Sequence, residues 1–402
     1  MNKLINAKNG VHDPTIIQVE DKYYLVSTDT QQPLTQGVPI RSSNDLINWT
    51  FEKTALNGVP EGASTWSSAE GLWAPEIIYV NKEYRMYYSA STFGSTTSMI
   101  GLACSDHPLG EWHDRGEVIK TNAEIADHNA IDANICYDEE GHSWMVYGSF
   151  FGGIYLVQLD HETGKCLREN DYGKCLALRP QSVEGAIEGP YIIYNKKSNY
   201  YYLFVSFDSL NDSYNIRVAR SRKIDGPYID RNGRSMLDIQ SDPTEIGTKL
   251  LGSYQWIDEN PLYGPGHNSI FTDKKNQQEF IVHHIRRTPS TADFFMQIRS
   301  LFWLEDGWPV VGATEFDGSV QRIDDKSEQI SGQWQIILFN NQSEVVKAKR
   351  MVIENGKLYD EISKEVSDLQ RNMIFYETSQ GETCLTGRTL NGAAIIGRKM
   401  SQ

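Results

Sequence analysis

The sequence predicts an all-β chain: a five-bladed β-propeller followed by a small C-terminal β-barrel-like domain. Three observations carry that expectation. Short runs rich in Tyr, Ile, Val and Phe alternate with turns of Asn, Asp, Lys and Gly, and long amphipathic helical stretches are hard to find. One hairpin form recurs five times along the first three quarters of the chain. The patterning then changes after Val311. At 402 residues the chain is longer than a single core usually grows, and 39% hydrophobic residues suffice for full cores.

The five hairpins are Asp13–Ser27, Trp73–Ser89, Asp132–Gly148, Glu188–Ser206 and His267–His283. Each runs from a polar or acidic residue through an apolar strand and a charged turn to an aromatic strand. From Asp13 through Glu76, Asp132 and Glu188 to His267 the steps are 63, 56, 56 and 79 residues. A hairpin recurring at such steps is what one four-stranded blade per repeat produces. A β-sandwich has no reason to repeat it. Residues 1–318 are therefore assigned to the propeller. Asp317-Gly318 and the charged stretch Arg322–Glu328 read as a linker, and 325–402 as the accessory β-domain, with strands in GQWQIILFN, KAKRMVIENGKLYD, RNMIFYE and GAAIIGR.

In a propeller the innermost strands run along the central axis, so equivalent strand starts converge at one end of it. Asp13, Asp132, Glu188 and His267 then meet in one funnel. Like charges placed together oppose folding, so such a cluster reads as a site. The balance of 38 basic and 53 acidic residues, net −15, has no Lys/Arg block and argues against nucleic acid or an anionic membrane as partner. A neutral ligand fits better. No apolar run approaches the roughly 18 residues that span a bilayer. The five cysteines (Cys104, Cys136, Cys166, Cys175, Cys384) are scattered, with no CxxC pair, and read as buried free thiols. The N-terminal MNKLINAKNGVHDP has no apolar signal stretch, so the expectation is a cytoplasmic protein, or the mature form of a secreted one.

Six ordered motifs resemble glycoside hydrolase family 43, closest to its arabinanases: HDP at His12–Pro14, WAPE at Trp73–Glu76, AIDAN at Ala130–Asn134, GSFFGGI at Gly148–Ile154, IEGPY at Ile187–Tyr191 and GPGHNS at Gly264–Ser269. The resemblance covers roughly residues 10–315. It implies a five-bladed propeller that hydrolyses α-1,5-linked L-arabinofuranose chains with inversion, using three carboxylates. Asp13 matches the general base, Glu188 the general acid, and Asp132 the carboxylate that orients the acid and modulates its pKa. His267 matches a histidine near a calcium ion with a mostly water shell.

The residues themselves agree with this reading. Inversion needs a base and an acid roughly 6.5–9.5 Å apart with a water between them, which residues on opposite blades can supply. Pro14 stiffens the strand that aims Asp13. Glu188 is preferred over Glu184 because it alone fits IEGPY. Sugars need aromatic platforms and polar partners, and Trp73, Phe150, Phe151, Asn134 and Ser149 are the candidates. His283 and His284 lie at the far end of their blade's second strand and read as structural. HHIRR at His283–Arg287 departs from the small polar residues that often follow in arabinanase blades. The accessory domain reads as packing support or an auxiliary sugar-contact surface. Cutting is expected to be endo, unless the stretch Gln31–Leu72, with Trp66 in the loop Asn57–Gly71, walls off one end of the groove. The rivals are an exo-acting arabinanase, an arabinofuranosidase, a β-xylosidase, a retaining fructan-cleaving propeller and a non-catalytic sugar-binding propeller.

Overall fold

The computed structural model describes residues 7–30, 35–290, 292–323, 328–360, 365–368 and 372–400. Five four-stranded antiparallel sheets follow one another along the chain. Blade I comprises Thr15–Val19, Lys22–Val26, Pro39–Ser43 and Thr50–Thr54; blade II Trp73–Val80, Glu83–Ala90, Ser98–Ser105 and His113–Thr121. Blade III is Asn134–Tyr137, Ser143–Tyr147, Ile154–Leu159 and Lys174–Ala177; blade IV Ile187–Asn195, Tyr200–Phe207, Asn215–Ser221 and Thr248–Leu251. Blade V is Tyr263–Thr272, Glu279–Arg286, Phe294–Trp303 and Pro309–Val311. Within each blade every strand pairs with its sequence neighbour, so each sheet is built from local hairpins. The second strands are almost wholly buried, as in KYYLV, EYRMYYSA and YYYLFVSF, because both of their faces pack against neighbouring blades.

The start of each inner strand is kinked. Asp13, Ala74, Asp132, Gly189 and His267 all adopt positive φ, between 40° and 64°. In blades II, IV and V this residue sits in a bulge, between the pairs Trp73↔Ser89 and Glu76↔Tyr87, Glu188↔Ser206 and Tyr191↔Phe204, and Gly266↔His284 and Ser269↔Val282. The equivalent positions are therefore Asp13, Ala74, Asp132, Gly189 and His267. Glu76 lies two residues beyond its equivalent and Glu188 one before, which corrects the sequence register.

The residue two places after each kink joins its blade to another. Thr15 Oγ1 donates to Pro75 O at 2.9 Å, and Asn134 Nδ2 to Glu76 Oε1 at 2.9 Å. Ile192 N donates to Asn134 Oδ1 at 2.9 Å, Tyr191 OH to Ile270 O at 3.2 Å, and Ser269 Oγ to Pro14 O at 2.7 Å. These five bonds form a ring that includes the junction of blade V with blade I. Burial pushes Glu76 up to about 8, so it joins the ring as a neutral acid below that pH.

Blades I and V are further joined by an apolar cluster containing Ile16, Leu25, Trp49, Phe271, Phe280 and Ile298. The N-terminal segment also runs along blade V, with Gly10 N donating to Phe294 O and Met296 N to Lys8 O, each at 3.0 Å.

The C-terminal region forms one eight-stranded sheet curled into a half-barrel. Its first strand is Val320–Ile323, so the sheet begins ahead of residue 325, and the predicted linker starts inside a strand. Residues 324–327 of that linker lie outside the described residues. The half-barrel has its own core around Trp334, Phe375 and Leu385. Through Ile337, Phe339, Tyr376 and Ile396 it also shares a core with Leu250, Tyr254, Trp308 and Val310 of the propeller side.

Ser269→Ala leaves the buried Pro14 carbonyl without its donor. A loss of about 1–2 kcal/mol is expected, read as a fall in Tm of about 1–2.5 °C by calorimetry. An unchanged Tm would mean that this bond does not help close the ring.

Candidate active site

One end of the axis opens into a cavity of about 480 Å³ to which the starts of all five inner strands contribute. Asp13, Asp132, Glu188 and His267 all line it, as the sequence predicted, together with Trp73, Ser149, Phe150 and Phe151.

Asp13 stands among imidazoles. Its Oδ1 lies 2.7 Å from His12 Nδ1, 3.1 Å from His267 Nδ1 and 3.5 Å from His284 Nδ1, while Oδ2 accepts a 2.5 Å hydrogen bond from Thr28 Oγ1. Arg286 donates to His12 Nε2 at 2.9 Å, which places the proton of a neutral His12 on Nδ1, facing the carboxylate. Burial alone would raise the pKa of Asp13. The electrostatic pull of His12 and His267 and the hydrogen bonds from His12 and His284 together outweigh it and hold the carboxyl well below its usual range. In the same way burial opposes a charge on His267, but Asp13, Asp132 and Glu188 around it raise its pKa. Asp13 is thus an ionised carboxylate whose orientation is fixed from several sides.

Asp132 is in the opposite condition. Burial, with the nearby charges of Glu188 and Asp13, pushes it up to about 7 despite His267. Its backbone N–H donates to Ser89 Oγ at 2.9 Å, and its Oδ2 accepts from Gly189 N at 3.2 Å. That second contact ties Asp132 to the backbone immediately after Glu188. Glu188 itself is gripped at both oxygens: Ser149 Oγ donates to Oε2 at 2.8 Å and Tyr214 OH to Oε1 at 2.7 Å. Glu184 also lines the cavity, but from the cap of the short 3-10 helix Gln181–Val183 rather than from a strand.

Several site residues escaped the sequence reading. Tyr214 is wholly buried, and its ring stacks on His284, which stacks in turn on His12. A Cβ at Gly266 would stand 2.0 Å from the Tyr214 ring, which explains the glycine before His267. His284 is not remote from the site: the hairpin is antiparallel, so the end of the second strand returns beside the start of the first, pairing with Gly266. Phe93, 91% exposed in the turn after Glu83–Ala90, stands at the cavity as an aromatic surface, beside the 39% exposed Phe151. A lone Phe in a Gly/Ser/Thr loop carries no periodic signal that could have marked it.

Two expectations are corrected. Asn134 was a candidate polar contact, but it is buried and both ends of its amide belong to the inter-blade ring. The stretch Asn57–Gly71 is not a loop over the mouth. Glu61–Ser67 is an α-helix, and Trp66 Nε1 faces Ser98 O at 3.1 Å and Thr121 O at 3.3 Å on blade II. Residues 31–34 of the predicted wall lie outside the described residues.

For a metal, the three-donor groups among the described residues are His12–Asp13–His284 and the surface group Asp138–Glu140–His142. Neither includes His267. A calcium ion beside His267 therefore fits only with one imidazole ligand and a shell of water.

The family model for glycosyl hydrolases family 43 matches residues 7–309. An extracellular endo-α-(1→5)-L-arabinanase from Thermotoga petrophila is 35% identical over 367 residues, covering 81% of this chain and 75% of that protein. The crystal structure of an endo-1,5-α-L-arabinanase from Thermotoga petrophila RKU-1 superposes with a TM-score of 0.82 at 29% identity, over 97% of this chain and 98% of that one. An extracellular exo-α-(1→5)-L-arabinofuranosidase from Cellvibrio japonicus is 32% identical over 78% of this chain and 89% of its own length.

The raised pKa of Asp132 has a definite sign for stability. Between the ordinary carboxyl value of about 3.9 and about 7, the folded protein keeps a proton that the unfolded chain releases, so stability falls as pH rises through that window. Asp132→Asn keeps an oxygen for Gly189 N and abolishes the titration. Its Tm should exceed that of wild type by about 2–5 °C at pH 8, the gap closing near pH 4. A wild type that is the more stable at pH 8 would show that Asp132 is held as an anion.

Proposed function

The chain belongs to glycosyl hydrolases family 43, and on that premise we propose that it cleaves α-1,5-linked L-arabinofuranose chains within the polymer, inverting the anomeric centre. One observation carries the reading. A single cavity holds an ionised carboxylate fixed by imidazoles on blade I and a second carboxyl gripped by two hydroxyls on blade IV, which are not sequence neighbours in the ring. Asp13 takes a proton from a water as that water attacks the anomeric carbon, while Glu188 gives its proton to the departing glycosidic oxygen. Ser149 and Tyr214 keep Glu188 in position. When Glu188 is protonated, one of the two hydroxyls turns to accept, which a hydroxyl can do and a fixed N–H cannot. Asp132, largely neutral below about 7, holds the Glu188 strand. Trp73, Phe93 and Phe151 offer faces for furanose C–H groups.

The relatives named as endo-acting support internal cleavage, as does the packing of Trp66 on blade II, away from the cavity. Those relatives are also named as extracellular, which favours action outside the cell over the cytoplasmic expectation. No helix among the described residues is long and apolar enough to cross a membrane. We further propose calcium at His267, where a bound ion supplies positive charge among the three carboxylates.

Three outcomes test this. Asp13→Asn and Glu188→Gln should each lower kcat about 10²–10⁴-fold on linear arabinan, with Glu184→Gln close to wild type, and proton NMR should show the first product with inverted configuration. Retention, or a dead Glu184→Gln beside a live Glu188→Gln, would reassign the roles. Early digestion should give mixed oligomers with a rapid fall in viscosity; one uniform short product would make the enzyme exo-acting. EDTA should lower activity or Tm, calcium should restore it, and His267→Ala should abolish the response; no chelator effect would remove calcium from the site.

A further inference from the structure

The C-terminal half-barrel sends one segment back against blade IV, behind the cavity wall. Between its strand Gly332–Leu338 and Val346–Lys347, residues Asn341, Gln342 and Ser343 cross to blade IV. There Arg217 donates to Asn341 O at 3.0 Å, Lys249 Nζ to Gln342 O at 2.6 Å, and Asn341 Nδ2 to Glu245 Oε1 at 3.3 Å. The crossing ends on Asp208, whose Oδ2 accepts from Ser343 Oγ at 3.1 Å.

Asp208 is where the propeller wall meets this segment. It follows the strand Tyr200–Phe207, has a positive φ of 72°, and opens the stretch Asp208–Asn211 that lines the cavity. Its side chain is 16% exposed, and its other partners are Arg179 at 2.5 Å and Asn215 Nδ2 at 2.8 Å. Arg179 also donates to Ala186 O, two residues before Glu188, so the same wall is tied to the strand of the candidate acid. We propose that Asn341–Ser343 of the C-terminal domain is a positioning element of the substrate cavity, holding the wall Asp208–Asn211 in place through the Ser343 hydroxyl.

The seat on blade IV is built for this segment. Arg217 and Lys249 are both buried, 1% and 5% exposed, and a buried cation needs acceptors for its N–H groups. Two of those acceptors are main-chain carbonyls of the incoming segment, which fit whatever side chains it carries. Burial brings Lys249 down to about 7 and Arg217 to about 10, as expected for cations placed where water cannot replace the carbonyls. The segment thus braces a stretch of cavity wall, Asp208–Asn211, whose first residue has both carboxylate oxygens tied to Arg179, Asn215 and Ser343. This rests on the proposed action on arabinan, and gives the second domain a part in holding the chain rather than in breaking it.

The test uses full-length Ser343→Ala, with Ser343→Thr as the variant that keeps the hydroxyl. For linear arabino-oligosaccharides KM should rise roughly three- to tenfold in Ser343→Ala with kcat within about twofold of wild type, and Ser343→Thr should restore KM. Amide hydrogen exchange at 208–211 should quicken in Ser343→Ala alone. Unchanged KM and unchanged exchange would overturn the proposal. So would a fall in kcat at constant KM shared by both variants, the mark of general damage. If wild type does not cleave arabino-oligosaccharides, the functional reading fails by itself, and exchange at 208–211 still decides whether Ser343 holds the wall.

Discussion

The whole molecule hangs on one backbone device, the left-handed residue that opens each inner strand. It bends the chain so that one side chain turns into the cavity while the residue two places on reaches across to another blade. Function and closure therefore come from the same kink. Four of the five positions are not glycine, and each such conformation costs on the order of 1–3 kcal/mol unless its surroundings hold it. Here the surroundings are the ring through Thr15, Glu76, Asn134, Tyr191 and Ser269. At blade IV the kink falls on Gly189, and the carboxyl that lines the cavity is displaced by one residue to Glu188, at the edge of the bulge.

The second theme is divergence between neighbours. Asp13 and Asp132 occupy matching places in the repeat, yet one is driven far into its charged form and the other toward neutrality. The difference lies in what the flanking blades bring. His12, His267 and His284 crowd Asp13, whereas Asp132 meets Ser89, a backbone N–H and the field of two other carboxylates. One repeat position thus supplies a charged carboxylate on one blade and a largely neutral carboxyl on another, within one pocket.

Much of this was legible in the sequence because the blades are local: strands that pair with their sequence neighbours leave their hairpins intact in the text. Asp13, Asp132, Glu188 and His267 could be placed in one funnel from the repeat, to within one residue of register. What depends on three-dimensional return was not legible. His284 and Tyr214 reach the site from second and third strands, where their spacing looks like ordinary core. Asn134 carries the same motif signal as a ligand would, and only the geometry shows its amide turned sideways into the ring. Trp66 sits in a polar stretch that looks like a loop, yet the stretch forms a short helix pinned by an indole N–H to blade II. The start of the accessory sheet at Val320 was not legible because its first strand, VQRI, runs into the charged stretch that reads as linker.

The order of the blades has a consequence for time. The hairpins of each sheet are contiguous, so a chain leaving the ribosome can form blade I while blade V is still untranslated. Asp13 is made first, and two of its three imidazole neighbours, His267 and His284, come from the last blade. For most of synthesis the nascent chain carries a carboxylate with His12 as its one imidazole neighbour, at a strand start still open to water. The catalytic centre is born whole when the ring shuts, and no fragment that stops short of blade V can hold it.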